Sequence, residues 1–311
     1  MAPHRRCGEE FPNASSMMKV DALTITIAHA LDGATARLAG AGIEDARREA
    51  RLLLAHALGT GTATLIADPA RALDRAAQER FNALVDRRAA REPMSHILGR
   101  REFWSLDFAV TRDVLDPRAD SETLVEAALA LFPDREAPLA VLDLGTGTGC
   151  LLLAVLAERP GARGLGVDAS AAALRIAAGN ADRLGLGARA SFRQGDWGDG
   201  LTGRFDLILC NPPYIPAAAI AALAPEVAHW EPRTALDGGA DGLDAYRTLA
   251  GQFNRLLEPK AVAVVEVGDK QADAVAEIFA AAEMVVDSRR RDLSGIERCL
   301  VLRAATAFTK P

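Results

Sequence analysis

The stretch Val141–Gly149, with the sequence VLDLGTGTG, decides the fold of the larger part of this chain. An apolar segment typical of a strand runs straight into a Gly-x-Gly-x-Gly turn, and a helix-forming run begins at Leu151. Glycines allow the backbone to take positive φ and to pass close to a ligand. A strand, a glycine-rich turn and a helix in this order predict one unit of an α/β sheet with a ligand site where the strand ends.

Two phosphate-binding motifs are excluded at this turn. The dinucleotide fingerprint requires a third glycine at the position of Cys150, and a P-loop requires Gly-Lys-Ser/Thr, which does not follow. Asp143, two residues before the first glycine, suits the cationic amino acid portion of a ligand better than a pyrophosphate. From this stretch alone, a glycine-rich connector without a ligand is the alternative.

Strands and helices alternate from residue 139 onward, which predicts a mostly parallel sheet with helices on both faces. The predicted strands are 140–144, 164–167, 190–193, 205–210, 261–267, 284–287 and 298–302. The predicted helices are 121–131, 151–158, 171–184, 243–257 and 271–282, and Asp120 or Ser121 is expected to cap the first of them.

The residues before this region divide into three parts. Residues 1–20 lack periodicity and are interpreted as a disordered tail or as an extension upstream of the true start. Residues 21–91 show helical spacing and predict a small bundle, in which Gly59 stops one helix. Residues 92–115 are predicted to form a β-hairpin linker, with strands at 97–99 and 103–110 around the turn Gly99–Arg101. Residues 116–311 then form the α/β domain.

Composition excludes several classes of protein. The 311 residues carry a formal charge of −6, and residues 101–311 hold 22 Lys and Arg against 30 Asp and Glu, which is a poor basis for gripping a nucleic acid duplex. The four cysteines form no Cys-x-x-Cys pair and the five histidines are scattered, so neither a disulfide scaffold nor a metal site is expected. A transmembrane helix and a secretory signal are also not indicated, which favours a cytoplasmic protein.

Two further strand ends carry acidic or aromatic side chains. Asp168 lies 19 residues after Gly149, near the spacing at which a carboxylate reaches ribose hydroxyls. The alternative for Asp168 is a simple N-cap of the helix that begins near Ser170. Asp196 could meet an adenine amino group and Trp197 its face, although Trp197 could equally fill the core.

The segment Asn211–Tyr214, with the sequence NPPY, is the most informative tetrapeptide of the chain. Its two prolines remove two backbone donors, which leaves the Pro212 carbonyl and the Asn211 side chain as acceptors. Together these can bind both hydrogens of a planar NH2 group stacked on Tyr214, and so aim the weakly nucleophilic nitrogen at an electrophile. An Asn-Pro turn with a buried tyrosine is the alternative.

These motifs resemble the HemK/PrmC family of protein-glutamine methyltransferases, specifically the peptide chain release factor enzymes that use S-adenosyl-L-methionine. The similarity covers about residues 21–303 and is strongest in Asp143–Gly149 and Asn211–Tyr214. The resemblance implies a Rossmann-like class I methyltransferase sheet with a small helical N-terminal domain for substrate recognition.

Two other segments support the resemblance. Asp116–Glu122 is similar to the family's Ile-Pro-Arg-Pro-Asp-Thr-Glu, from which it departs at Asp116, Ala119 and Ser121. Glu231–Leu243 matches another stretch of the family, and a loop that shapes the substrate channel explains it as well as a catalytic role does.

The resemblance implies roles for individual residues. The implied catalytic residues are Asn211, Pro212 and Tyr214, and the implied substrate-binding residues are Asn211, Pro212, Pro213 and Tyr214. The implied cofactor-binding residues are Gly145, Thr146, Gly147, Thr148, Gly149, Asp168, Trp197 and Asn211. The implied reaction is an in-line displacement at a sulfonium methyl carbon that needs no general base, and no metal is expected.

The implied partner is a class I release factor, methylated on N5 of the glutamine in its Gly-Gly-Gln motif by a monomeric enzyme that acts on no membrane and no nucleic acid. Three alternatives stay open. A glutamine methyltransferase for a ribosomal protein has the same chemistry. A DNA or RNA amino-methyltransferase uses the same tetrapeptide on flipped bases, although the acidic α/β region and the lack of a target-reading domain speak against it. A nucleotide-binding module without catalysis would not need Asn211–Tyr214.

Overall fold

The structure, a computed structural model, describes residues 25–305, so the predicted tail at residues 1–20 lies outside the described part. Contacts between residues divide the described chain into two compact units, 25–85 and 86–305. Every helix within residues 25–305 is too short or too polar to span a bilayer.

The first unit is helical, as its sequence predicts. It contains α1 (Ile27–Gly40), α2 (Ala46–Leu58), α3 (Thr62–Ala67) and the greater part of α4 (Arg75–Ala89). Gly59 ends α2 at a φ of +62°, a left-handed conformation that glycine adopts without steric cost. The apolar faces of these helices are buried together through residues such as Leu31, Leu38, Leu53, Leu54 and Phe81.

The linker region contains a hairpin, but its strands differ from the prediction. Residues 97 and 98 belong to the short helix α5 (Met94–Leu98), because Pro93 precedes its first turn and Gly99 ends it at a φ of +70°. The strands are β1 (Arg100–Phe103) and β2 (Leu106–Ala109). Their turn is therefore not Gly99–Arg101 but Trp104 and Ser105, whose φ values of +53° and +55° suit the twist of a two-residue hairpin.

The second unit is built on a seven-stranded sheet, and the alternation predicted from the sequence is confirmed. Its strands are β3 (Leu139–Leu144), β4 (Ala162–Asp168), β5 (Ala190–Gln194), β6 (Phe205–Cys210), β7 (Leu257–Glu266), β8 (Met284–Arg291) and β9 (Glu297–Ala304). Its helices are α6 (Glu122–Leu131), α7 (Cys150–Glu158), α8 (Ala171–Arg183), α9 (Pro225–Ala228), α10 (Asp244–Leu256) and α11 (Ala272–Ala281).

The strand order places the ligand site. The order is β5-β4-β3-β6-β7-β9-β8, with parallel pairing from β5 to β7 and antiparallel pairing of β9 to both neighbours. The chain steps outward from β3 to β5 and then returns to place β6 on the other side of β3. Ligands bind parallel sheets where the order reverses in this way, so the carboxyl ends of β3, β4 and β6 mark the site.

Two apolar layers fix the sheet between its helices. Val141, Leu207 and Val264 belong to the core on one face, and Leu142, Ile208 and Ala263 belong to the core on the other. Because alternate residues of these central strands are buried on opposite faces, their sequences are apolar almost throughout. This is why the bounds of β6 match the predicted 205–210.

Candidate functional site

A cavity of about 360 Å³ lies at the carboxyl ends of β3, β4 and β6. All of its described lining residues belong to the second unit. Its walls bring together seven of the candidate ligand-binding residues from the sequence: Gly145, Gly147, Asp168, Asp196, Trp197, Asn211 and Pro213.

The glycine turn after β3 approaches the cavity with its backbone. Gly145 and Gly147 have φ values of +74° and +53°, and the amide groups of Gly145 and Thr146 both donate to the carbonyl of Val167 at the end of β4. A Cβ on Gly145 would lie 3.3 Å from the Trp197 ring. The turn therefore needs glycine at position 145 for both its conformation and its close contact.

Asp143, Thr146 and Thr148 are buried beneath this turn and are not among the residues that line the cavity. The Thr146 hydroxyl donates to Asp143 Oδ2 at 2.6 Å. Burial raises the pKa of Asp143 to about 7, an effect that the Thr146 hydrogen bond opposes. Asp143 thus supports the turn from below, while Gly149 packs close to Leu153 on α7.

Asp168, the last residue of β4, holds the turn and the start of the next helix together. Its Oδ2 accepts from the Gly147 amide at 2.9 Å, and its Oδ1 accepts from the Ser170 amide at 2.8 Å. The N-cap of α8 is Ser170, whose hydroxyl accepts from the Ala173 amide. Asp168 is therefore not the cap, and since it lines the cavity its remaining carboxylate lone pairs can accept from ligand hydroxyls.

Trp197 follows β5 in a left-handed conformation, with a φ of +51°. Such a conformation is strained for a large side chain and commonly occurs where a functional site fixes it. The Trp197 ring lies beside Gly145, and Asp196 lines the cavity as well. The ring also packs partly against the apolar core, so Trp197 contributes both to the core and to the cavity wall.

Asn211–Tyr214 begin at the first residue after β6. Asn211 and Pro213 line the cavity, while Pro212 is buried and Tyr214 is half-buried away from the wall. The Tyr214 hydroxyl donates to Glu266 Oε1 at 3.2 Å. Burial raises the pKa of Tyr214 well above its usual value, so the phenol stays protonated.

Glu266, the last residue of β7, is 1% exposed and lies behind the tetrapeptide. Its Oε2 accepts from the Ser121 hydroxyl at 2.5 Å, and Ser121 Oγ accepts from Asn211 Nδ2 at 3.2 Å. Burial raises the pKa of Glu266 to about 7, against the hydrogen bonds from Ser121 and Tyr214 and the charge of Arg298. Ser121 occupies the N-cap position of α6, as predicted, but its side chain caps nothing.

The segment after Glu231 forms another part of the cavity wall. Pro232, Thr234 and Ala235 line the cavity, in the stretch for which the sequence left a channel-shaping loop and a catalytic role open. Arg118 Nη2 binds both carboxylate oxygens of Glu231, at 2.8 and 2.6 Å. Burial raises the pKa of Glu231 to about 7 although Arg118 opposes the shift, so this ion pair anchors the segment at a cost in desolvation.

The structure does not bring every predicted residue to the cavity. Thr146, Thr148, Gly149, Pro212 and Tyr214 are not among its described lining residues. Asp113, Val114 and Leu115 also line the cavity, but they lie after the hairpin and carry no recognisable motif. Glu266, which ends an apolar strand, is likewise not among the residues predicted from the sequence. A buried acidic residue at the carboxyl end of a central parallel strand was the signal that could have identified it.

Within residues 25–305, no cluster of three or more His, Cys, Asp or Glu side chains is arranged to hold a metal ion. The cavity offers backbone amides, two carboxylates that lie at strand ends (Asp168 and Asp196), the aromatic ring of Trp197 and the side-chain amide of Asn211. This combination suits an organic ligand with hydroxyl groups and a flat ring.

Two family models match parts of this chain. The PrmC N-terminal domain family matches residues 29–99, and a methyltransferase domain family matches residues 136–294. The hMettl16 catalytic domain, solved with a MAT2A 3′UTR hairpin, has a TM-score of 0.54 over 71% of this chain and 82% of its own. At 14% identity it shows a common methyltransferase fold and nothing more.

The sequence relatives carry a specific name. The release factor glutamine methyltransferase of Rhodospirillum rubrum is 48% identical over 287 residues, which span 92% of this chain and 88% of the relative. The release factor glutamine methyltransferase of Cereibacter sphaeroides is 48% identical over 280 residues, 90% of this chain and 99% of the relative. The predicted resemblance and fold class are confirmed, and the chain belongs to the release factor glutamine methyltransferase family.

Proposed function

We propose that this protein transfers a methyl group from S-adenosyl-L-methionine to N5 of the glutamine in the Gly-Gly-Gln motif of class I release factors, in the cytoplasm. The names of the relatives support the substrate, and the methyltransferase domain supports the methyl donor. The observation that carries the proposal is the placement of Asn211 and Pro213 in the wall of the same cavity as Gly145, Gly147 and Asp168.

The residues present fit the donor. The cavity volume of about 360 Å³ falls within the range of roughly 300–1,000 Å³ typical of small-ligand pockets. Gly145 leaves the space that a Cβ would fill beside Trp197. In this assignment the glycine turn holds the methionine end of the donor, Asp168 accepts from the ribose hydroxyls, and Trp197 borders the adenine. When bound, S-adenosylmethionine supplies an electrophilic methyl group on a sulfonium.

Asn211 and Pro212 prepare the acceptor. The Asn211 side-chain carbonyl and the Pro212 backbone carbonyl accept the two hydrogens of the glutamine amide, and Tyr214 supports its plane. This arrangement aims the nitrogen lone pair at the methyl carbon, so catalysis is mainly positioning. No residue of the chain has to act as a general base, because the methylated amide is strongly acidic while protonated and gives its extra proton to water.

The helical N-terminal region, residues 21–91, is assigned to recognition of the release factor. The match of residues 29–99 to the PrmC N-terminal domain supports this assignment. The hairpin linker 92–115 and the catalytic domain 116–311 complete the proposed organisation. We place the activity in a single chain that requires neither a membrane nor a nucleic acid target.

The test offers three acceptors to the purified full-length protein with radiolabelled S-adenosylmethionine: a class I release factor, a ribosomal protein extract and tRNA. We expect label in the release factor, located by mass spectrometry on the Gly-Gly-Gln glutamine. A release factor with asparagine in place of that glutamine is the matched control and should stay unlabelled. Label confined to a ribosomal protein or to tRNA would overturn the proposal in favour of the corresponding alternative.

A further inference from the structure

Two side chains assigned to the acceptor, Asn211 and Tyr214, are tied to one buried carboxylate. Asn211 reaches Glu266 through the Ser121 hydroxyl, and Tyr214 reaches it directly. We propose that Ser121 and Glu266 are positioning residues that fix the Asn211 amide with its carbonyl oxygen presented to the acceptor glutamine. This inference rests on the proposed function for the identity of the acceptor.

The direction of the hydrogen bonds carries the argument. The Ser121 hydroxyl has one hydrogen, and its oxygen lies 2.5 Å from Glu266 Oε2. When the Glu266 carboxylate is ionised it can only accept, so the hydrogen of Ser121 then points to Glu266. Ser121 Oγ can then offer only a lone pair to Asn211. The group of Asn211 that faces it, at 3.2 Å, must be the amide nitrogen.

The orientation of the Asn211 amide follows from this. A planar amide that turns its nitrogen to Ser121 presents its carbonyl oxygen on the opposite edge, and Asn211 lines the cavity. If Ser121 instead donated to Asn211, the amide would have to present its NH2 group to the acceptor. An NH2 group cannot accept the N–H bonds of a glutamine. The hydrogen bonds from Asn211 through Ser121 to Glu266, which we call the relay, therefore select the productive one of the two orientations.

The same carboxylate also fixes Tyr214. The phenol donates to Glu266 Oε1 at 3.2 Å, which leaves the ring less free to turn. One buried group therefore orients both the acceptor of the substrate hydrogens and the proposed platform for the amide plane. Catalysis by positioning depends on locking of this kind, because a misplacement of about 1 Å can cost roughly a hundredfold in rate.

Helix capping, the usual role of a serine at this position, does not explain the Ser121 side chain. Ser121 stands at the N-cap position of α6, where a serine normally accepts from a backbone amide of the first turn, but its side chain makes no such bond. Glu266 lowers the free energy of unfolding when it is ionised, since a carboxylate that is 1% exposed is strongly desolvated. Neither side chain is explained by the stability of its own element.

The experiment compares side chains at position 121 that carry a hydroxyl with side chains that lack one. Threonine and valine have nearly the same shape, because valine has a methyl group where threonine has its hydroxyl. Ser121→Thr and Ser121→Val therefore share the steric cost of a branched side chain and differ in the hydroxyl. Ser121→Ala adds no volume. Ser95→Ala is the matched control, because Ser95 is 5% exposed and its hydroxyl has no partner among the described residues.

Three quantities are measured on full-length protein: the single-turnover rate of release factor methylation, the cofactor affinity by calorimetry, and the side-chain amide signal of Asn211 in ¹⁵N NMR without cofactor, assigned by its loss in Asn211→Ala. We expect Ser121→Val and Ser121→Ala to lower the rate about ten- to a hundredfold and to shift the amide signal, with cofactor affinity within about twofold. Ser121→Thr and Ser95→Ala should keep the parental rate and signal.

A parental rate and an unshifted amide signal in Ser121→Val and Ser121→Ala would overturn the relay. Equal losses in Ser121→Thr and Ser121→Val would also overturn it, because they would assign the effect to volume. If the parental protein methylates no release factor, the proposed function fails, and the relay is then judged by the amide signal alone. A signal that shifts in Ser121→Val but not in Ser121→Thr supports it, and an unchanged signal refutes it.

Discussion

The two sides of the cavity are built in different ways. The cofactor wall, which we define as Gly145, Gly147, Asp168 and Trp197, is held by backbone conformation and by bonds between adjacent strand ends. The acceptor wall, defined as Asn211–Tyr214, is held by a relay of side chains from segments that lie 90 and 145 residues apart in sequence. In the proposed function the first wall binds the methyl donor, for which a rigid turn is enough. The second wall orients the acceptor amide, which requires its side chains to be locked.

The largest effect is expected at Asn211. Asn211→Ala removes the carbonyl that accepts a substrate hydrogen, which should raise the barrier by about 3 kcal/mol, roughly two orders of magnitude in rate. Cofactor affinity should change far less, because the turn and Asp168 stay intact. Single-turnover methylation and calorimetry on the same preparation measure the two quantities separately.

Asn211→Asp sharpens this prediction. It keeps the size of the side chain but adds a negative charge beside the sulfonium, so it should bind the cofactor and still methylate poorly. A near-normal rate in Asn211→Ala would refute the role of the acceptor wall while leaving the family assignment untouched.

The second effect concerns the cofactor wall. Asp168→Ala leaves the amides of Gly147 and Ser170 without their acceptor and removes the proposed ribose contact, so cofactor affinity should fall by about 2 kcal/mol, roughly 30-fold. Gly147→Val forces a β-branched residue to a φ of +53° and should weaken binding as well.

The matched control for the glycine variant is Gly179→Ala, since Gly179 lies within α8 and a Cβ there meets no atom within 4 Å. Melting temperatures show whether each variant is folded. Unchanged calorimetric affinity in both Asp168→Ala and Gly147→Val would contradict the assignment of this wall.

The contrast between the walls also explains how much the sequence revealed. The cofactor wall follows from local patterns: an apolar strand, a run of glycines, and an acidic residue at the next strand end. The acceptor wall could be predicted only in part from the sequence. Asn211–Tyr214 stand out as a motif, but the link from Ser121 to Glu266 spans 145 residues and leaves no local periodicity. Local patterns therefore predict Asp120 or Ser121 as a helix cap, and they present Glu266 only as the last residue of an apolar strand.

Short elements were missed for a related reason. A run of five residues such as Met94–Leu98 is too brief for helical and strand periods to be told apart, and its identity comes from Pro93 and the left-handed Gly99 at its ends. The hairpin turn at Trp104 and Ser105 lacks the Asn-Gly type of sequence that marks such turns. Tertiary packing decides the hairpin, since Phe103 and Phe108 on its two strands are fully buried.

The third effect is the pH dependence of the rate. Burial raises the pKa of Glu266 to about 7, and smaller effects come from the hydrogen bonds of Ser121 and Tyr214 and from the charges of Arg298 and Asp120. Protonation removes the charge that holds the Ser121 hydrogen, so the single-turnover rate should fall as the pH is lowered through about 7. Glu266→Gln should lower the rate at high pH and flatten this acidic limb. A limb that persists unchanged in Glu266→Gln would assign it to another group.

The smallest effect on the rate, and the sharpest test of the contrast, comes from Asp143. Each wall has one buried carboxyl beneath it, Asp143 under the glycine turn and Glu266 behind Asn211, and burial raises the pKa of both to about 7. A carboxyl whose pKa is higher in the folded protein than in the unfolded chain contributes stability at low pH. That stability is lost as the pH rises from about 4 through 7, because the native state must then hold a desolvated charge.

Asp143→Asn should therefore flatten the decline in the free energy of unfolding over this window, by an amount on the order of a few kcal/mol, measured by urea titration at a series of pH values. It should leave the acidic limb of the methylation rate in place, since Asp143 bonds to Thr146 and not to the acceptor wall. Glu266→Gln should change both profiles. If Asp143→Asn also removed the limb in the rate, the two walls would be coupled through the core, and the separation between a wall that binds and a wall that orients would fail.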